Sequence, residues 1–159
     1  MSSLLEEAVA FYHHYLLQHP AGKPALAYLE KRGLQRETID RFGLGYAPDG
    51  WDVVINHFVN RGHSSQDLLD AGLVTERRQA DGTLKPDGGY YDRFRNRIMF
   101  PIRDASGKMA GFGARILNPD DVPKFLNSPQ TILFDKGKLL YGLDQARKAI
   151  RSQDQAVIV

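Results

Sequence analysis

Arginines recur at alternate positions through Arg93, Arg95 and Arg97, and again at Arg103 and Arg115. Lysines follow at Lys124, Lys136 and Lys138, the last two flanking Gly137. Guanidinium and ammonium groups grouped in this way point to the binding and positioning of phosphates. Gly111 and Gly113 precede Arg115 at alternate positions, and bare glycine backbone lets a phosphate chain approach closely. Over the whole chain of 159 residues, 21 Lys+Arg nearly balance 19 Asp+Glu. The distribution is uneven. Residues 93–138 hold nine basic and four acidic groups, whereas residues 1–92 hold nine and thirteen. The near-neutral total therefore conceals a basic segment, the footprint of a polyanion site. The competing structural reading is that these are solvated strand-edge charges that protect a sheet from aggregating.

Other chemistries are poorly supplied. With no cysteine, disulfides and thiolate zinc sites are excluded, and a reducing cytoplasmic setting is consistent. The five histidines, at 13, 14, 19, 57 and 63, do not pair at ligand spacing with carboxylates. Neighbouring His13 and His14 point about 100° apart on a helix and cannot serve one metal. There is no G-x-S-x-G elbow and no P-loop. Two-metal nucleotide polymerisation needs clustered carboxylates. The basic region itself offers only Asp104, Asp120, Asp121 and Asp135, with Asp92 just ahead of it, scattered among turn positions. No apolar run approaches the ~20 residues of a membrane span, so no membrane association is expected, and the N-terminus carries no basic leader. The residues alone describe a platform for nucleic acid or nucleotide, with no catalytic centre and no metal of its own.

The elements that must position these cations follow from the hydrophobic pattern. Arg97 to Arg103 and Met109 to Leu117 read as two strands joined by the turn Asp104-Ala-Ser-Gly107. Alternation points Ile98, Phe100 and Ile102 into a core and puts Arg97 and Arg103 on the opposite face, with Arg93 and Arg95 in phase if the chain stays extended. In the second strand Phe112 and Ala114 face one way and Gly111, Gly113 and Arg115 the other, so one sheet face is expected to combine arginines with bare glycine. Ahead of the hairpin, Ser3 and Glu6 read as a capping box opening a helix that puts Leu4, Ala8, Phe11, Tyr12, Tyr15 and Leu16 on one face and ends at Pro20. A second helix starts near Pro24 and closes at Gly33. There Lys31 and Arg32 complement the helix dipole. Leu34 to Phe42 reads as a third helix. Trp51 to Phe58 reads as a fourth, with Trp51, Val54, Ile55 and Phe58 buried. Ser64 or Ser65 caps a fifth that closes at Gly72. Leu73 to Glu76 reads as a strand and residues 77–89 as a surface loop. Beyond the hairpin, Pro123 to Pro129 is extended, and its Asn127 and Ser128 are expected to satisfy their own backbone. A helix over 144–151 precedes Ala156-Val-Ile-Val159, which reads as the start of a buried strand.

Several motifs in this order resemble bacterial replicative DNA primase of the DnaG type. They are Tyr91-Asp-Arg-Phe-Arg-Asn-Arg-Ile-Met-Phe-Pro-Ile-Arg-Asp104, Gly111-Phe-Gly-Ala-Arg115, Pro123-Lys-Phe-Leu-Asn-Ser-Pro129 and Phe134-Asp-Lys-Gly-Lys-Leu-Leu-Tyr-Gly-Leu143. Tyr28 to Leu34, Phe42 to Pro48 and Gly50-Trp-Asp52 extend the likeness into the first half. The resemblance implies the N-terminal subdomain of the primase RNA polymerase core over residues 1–155. It divides into a helical part (1–72), a basic sheet with loops (73–143) and a linking helix (144–151), and residues 156–159 open a TOPRIM subdomain. The expected fold is α+β: N-terminal helices packed on a small, mostly antiparallel sheet, truncated before the TOPRIM α/β subdomain.

By motif match, Arg32, Arg93, Arg95, Arg115, Lys124, Asn127, Lys136 and Lys138 are the implied nucleic-acid and nucleotide contacts. The implied ligands are single-stranded DNA template, RNA primer–DNA hybrid and NTPs. The family's Mg²⁺ or Mn²⁺, its Zn²⁺ and its contact with the replicative helicase are implied to belong to domains outside this chain. The isolated fragment is therefore expected to be catalytically inactive. Phe125 stands where the family often has Tyr, and Ala114 where Gly is common. Two alternatives stay open: a primase-like protein of a phage or mobile element, and a non-enzymatic scaffold whose basic stripe contacts an acidic partner.

Overall fold

The computed structural model describes residues 1–85 and 88–158. Helix α1 (Ser2–Leu17) runs first, and a 3₁₀ turn over Pro20–Gly22 leads into α2 (Lys23–Lys31) and α3 (Arg36–Phe42). Strand β1 (Gly45–Ala47), helices α4 (Val53–Val59) and α5 (Ser65–Asp70), and strands β2 (Val74–Glu76) and β3 (Tyr90–Asp92) follow. Then come the hairpin β4 (Arg97–Arg103) and β5 (Met109–Ile116), the short β6 (Phe125–Asn127), a 3₁₀ turn at Lys136–Lys138 and α6 (Leu143–Gln153). The main sheet is antiparallel in the order β1-β4-β5-β6, and β2 and β3 form a separate antiparallel pair. This is the expected α+β arrangement.

Helix α1 forms because its apolar residues recur on one stripe. Leu4, Leu5, Ala8, Phe11, Tyr12 and Leu16 are buried. The stripe lies against β1 and β5, where the Tyr12 ring meets Phe112 edge-on with centroids 5.4 Å apart. Contact is close because Gly45 has no side chain: a Cβ there would stand 2.5 Å from that of Tyr12. The capping box expected at Ser3 and Glu6 does not form; Met1 is the N-cap and no side chain caps the helix. The Glu6 carboxylate instead accepts two bonds from the Arg103 guanidinium, one of them 2.8 Å long, which ties α1 to the β4–β5 hairpin. A second apolar cluster, with Leu29, Ile39, Leu44, Tyr46 and Ile98, seats α2 and α3 on the opposite side of the sheet.

The register corrects the expected faces. Ile98 lies opposite Arg115, Phe100 opposite Gly113 and Ile102 opposite Gly111, while Arg97 lies opposite Ile116 and Met99 opposite Ala114. Directly paired residues share a face. Gly113 and Arg115 therefore sit with Ile98, Phe100 and Ile102, and Arg97 sits on the other side with Met99 and Phe112, where α1 covers the core. Both faces of a central strand are partly covered here, which simple alternation cannot reveal. Phe100 and Ile102 are only half-buried.

Three further expectations change. Trp51 is 58% exposed, because α4 begins at Val53 and leaves the indole ahead of the helix. Ser128 is buried, and its Oγ accepts the amide of Phe112 at 2.9 Å instead of satisfying its own turn. Ala156, Val157 and Ile158 belong to no strand and are exposed, since no described strand lies beside them to complete a ladder; Val159 falls outside the described residues.

Candidate nucleic-acid interface

The β3–β4 connection does not stay extended. Asn96 adopts a left-handed conformation (φ 47°), held by Tyr46 Oη–H donating to its Oδ1 at 2.9 Å. This corner swings Arg93 and Arg95 off the strand line and gathers them with Arg97 around a cavity of about 290 Å³, walled across from them by Asn118, Asp121, Val122 and Pro123. Arg93 donates through Nε and Nη2 to the Asn127 carbonyl, at 3.2 and 2.8 Å, and so holds the edge strand β6. Arg97 donates to the Pro123 carbonyl at 2.8 Å. Arg95 donates to the carbonyl of Asp92.

All three guanidiniums spend these bonds on neutral carbonyls. Among the described residues, no carboxylate lies within ion-pair distance of Arg93, Arg95 or Arg97, whereas Arg36, Arg78 and Arg103 are each paired. Burial pushes the Arg93 and Arg97 guanidiniums below the usual arginine range. Asp49 and Asp121 also line the cavity, and Asp121 partly offsets the cost at Arg97, but neither pairs directly with a guanidinium. Three positive charges thus face two carboxylates held beyond ion-pair distance, and an anionic ligand would relieve the remaining cost.

Beside the cavity, the Arg95 guanidinium carbon lies 4.0 Å from the ring centroid of Trp51 and 5.3 Å from that of Tyr91. Trp51 and Tyr91 meet edge-on at 5.5 Å. Exposed aromatic faces among arginines are the parts from which single-strand platforms are built, because every base has a π-face and every nucleotide a phosphate.

A second group of cations occupies the other sheet face. Arg115 lies 5.3 Å from the Tyr28 ring of α2 and 5.7 Å from Phe125. The Lys124 ammonium is 5.6 Å from Phe125, which is 62% exposed. Neither Arg115 nor Lys124 has an ion-pair partner among the described residues. Phe125 lies opposite Arg115 and Asn127 opposite Gly113, so Asn127 shares this face. A Cβ on Gly113 would meet Asn127 Oδ1 at 3.4 Å and Ile102 Cδ1 at 3.6 Å, which are ordinary contact distances. Arg32 caps the C-terminal end of α2, one turn beyond Tyr28, and is exposed. Lys136 and Lys138 sit apart on their 3₁₀ turn, and Lys138 pairs with Asp135 at 3.2 Å.

The expected contacts therefore fall into two main groups, Arg93 with Arg95 and Arg115 with Lys124 and Asn127, with Arg32 flanking the second. Sequence reasoning missed Arg97 as a member of the site, Trp51 and Tyr91 as its aromatic wall, and Asp92 as a structural acid. The signal for Arg97 was present in its two-residue spacing from Arg95; nothing in the local pattern exposes Trp51. Among the described residues no group of three or more His, Cys, Asp or Glu side chains is placed to hold a metal. The residues present therefore do not fit the divalent ions or the zinc of the resemblance.

An α+β domain with unpaired arginines beside exposed aromatics carries the parts from which nucleic-acid platforms are built. Residues 11–147 match the family model of the DNA primase catalytic core, N-terminal domain, and the chain belongs to that family. It is 49% identical over 155 residues to the DNA primase of Deinococcus radiodurans, covering 98% of this chain and 26% of that protein. The chain thus spans about a quarter of such relatives. A DnaG primase catalytic domain solved with single-stranded DNA superposes with a TM-score of 0.79 at 44% identity, over 93% of this chain and 43% of that one. The RNA polymerase domain of Mycobacterium tuberculosis primase DnaG, solved with a double-stranded DNA oligomer bearing a 6-nucleotide overhang, gives 0.85 at 36% identity, over 99% and 47%.

Proposed function

We propose that this chain is the template- and nucleotide-positioning part of a DNA primase, the RNA polymerase that lays down primers for DNA replication. Single-stranded DNA runs past Trp51 and the Arg93–Arg95–Arg97 cavity. Arg115, Lys124 and Asn127, flanked by Arg32, meet phosphates of the incoming NTP or of the primer–template hybrid, and Lys136 and Lys138 are further phosphate contacts. The observation that carries this reading is the set of three arginines in one cleft, none within ion-pair distance of a carboxylate among the described residues. Their role is electrostatic: they neutralise and orient phosphates so that in-line attack meets less charge repulsion. The carboxylates that would hold Mg²⁺ belong to another part of the enzyme, as does the helicase contact, so the chain alone binds template weakly and adds no nucleotide.

The test is fluorescence anisotropy of a labelled single-stranded oligonucleotide against this chain across a salt series. Neutralising three to five phosphates gives a log–log slope of about −2 to −3.5, at roughly −0.7 per phosphate. Binding indifferent to salt, or unchanged in the Arg93→Ala/Arg97→Ala variant, overturns the proposal.

A further inference from the structure

Asp92 has no exposed surface, yet it is an acid. Its Oδ2 accepts the amide of Val54 at 2.7 Å and its Oδ1 that of Ile55 at 3.0 Å. These are first-turn donors of α4, whose own N-cap residue, Asp52, makes no side-chain cap bond. The cap comes from a strand almost forty residues further along the chain. The backbone of the same residue does two more things. Its N–H donates to the Trp51 carbonyl at 2.7 Å, and its carbonyl accepts from Arg95 Nη1. One residue therefore fixes the start of α4, the chain position of Trp51 and the fork of Arg95, and the Arg95–Trp51 stack at 4.0 Å is where the three meet.

We infer that Asp92 is a positioning residue for single-stranded nucleic acid. It touches no ligand itself; it holds the Trp51–Arg95–Tyr91 stack in the geometry that presents an indole face and a guanidinium to a base and its phosphate. The inference rests on the template-binding reading above and adds a specific requirement to it: the guanidinium must be held in place as well as charged. Without both acceptor oxygens the start of α4 loosens, and the Asp92 backbone that bonds the Trp51 carbonyl and Arg95 is no longer anchored in place.

Trp51 is the single tryptophan, so its emission reports on the stack directly. The experiment measures Trp51 emission and single-stranded DNA affinity for wild type, Asp92→Asn, Arg95→Ala, Arg95→Lys and the double variant Asp92→Asn/Arg95→Ala. Asp92→Asn is expected to shift Trp51 emission and weaken binding about 5- to 10-fold. The double variant should lose no more than the larger single loss, because both act through one stack. Arg95→Lys should behave like Arg95→Ala despite keeping the charge. This arm tests the positioned guanidinium even if Asp92→Asn fails to fold. Losses that multiply, or an Arg95→Lys variant that binds like wild type with unaltered emission, overturn the inference. Failure of the underlying reading looks different: wild type itself would bind without salt dependence, while the emission change in Asp92→Asn would still report the stack.

Discussion

Arg93, Arg95 and Arg97 differ from Arg103, at the far end of β4, in their partners more than in their exposure. Arg103 meets Glu6, which raises the affinity of its guanidinium for its proton. The other three hydrogen-bond only to carbonyls. This difference was invisible in the sequence, because Glu6 lies almost a hundred residues from its partner and had a plausible local use as a helix cap. Trp51 was misread for a related reason: apolar spacing extends smoothly from Trp51 to Phe58, and only the actual start of α4 at Val53 leaves the indole outside.

Asp92 carries a pH signature that follows from its burial. Desolvation raises its carboxyl above the ordinary aspartate range, against the pull of the Val54 and Ile55 amides. The folded chain then holds this proton at pH values where the unfolded chain, near 3.9, has released it. Stability from this site therefore rises as pH falls through the raised folded value toward the unfolded one. Urea unfolding of wild type and Asp92→Asn at a series of pH values from 7 down to 4 should show the difference moving in favour of wild type as pH falls; a flat difference would mean burial does not dominate. At pH 7, Asp92→Ala should cost about 1–3 kcal/mol, since two buried amides lose their acceptor.

At the scale of elements, the hairpin was legible to within a residue at each end. Its turn chemistry is strong: Asp104 Oδ1 accepts from Ser106 and Lys108 amides, and Gly107 takes φ 88°. The helices were legible too, because α2 and α3 end at left-handed Gly33 and Gly43 and α5 has its capping box at Ser64 and Asp67. The pairing of faces was not. Which side of a strand meets α1 depends on where β1 docks, and β1 is three residues long with no alternation of its own. Two glycines of the same sheet make the point measurable. At Gly45 a Cβ would press into Tyr12, including its backbone carbonyl carbon at 2.8 Å, so Gly45→Ala should destabilise by about 1–3 kcal/mol through overpacking. At Gly113 a Cβ would meet only ordinary contacts, so Gly113→Ala should leave the thermal midpoint near wild type. Equal shifts in the two midpoints would contradict the close docking of α1 on β1.

At the scale of the whole molecule, the two cation groups stand on opposite faces of one thin sheet. Arg97 and Arg115 are separated by the strand register, and β6 is the edge between their faces, pinned by Arg93. A ligand lying flat on one face does not touch both groups. A flexible single strand does so only by crossing the β6 edge, which asks for more nucleotides than either group alone. Single-strand platforms commonly span about 4–16 nucleotides. An oligonucleotide of about four residues should therefore engage one face and give a shallow salt slope, and one of about twelve should engage both and give a slope roughly twice as steep. Arg115→Ala should then flatten the longer oligonucleotide's slope by about 0.7 while leaving Trp51 emission unchanged, because it lies on the far face from the indole stack. Equal slopes for the two lengths would mean that nucleic acid uses one face only, and that the second group serves a separate triphosphate.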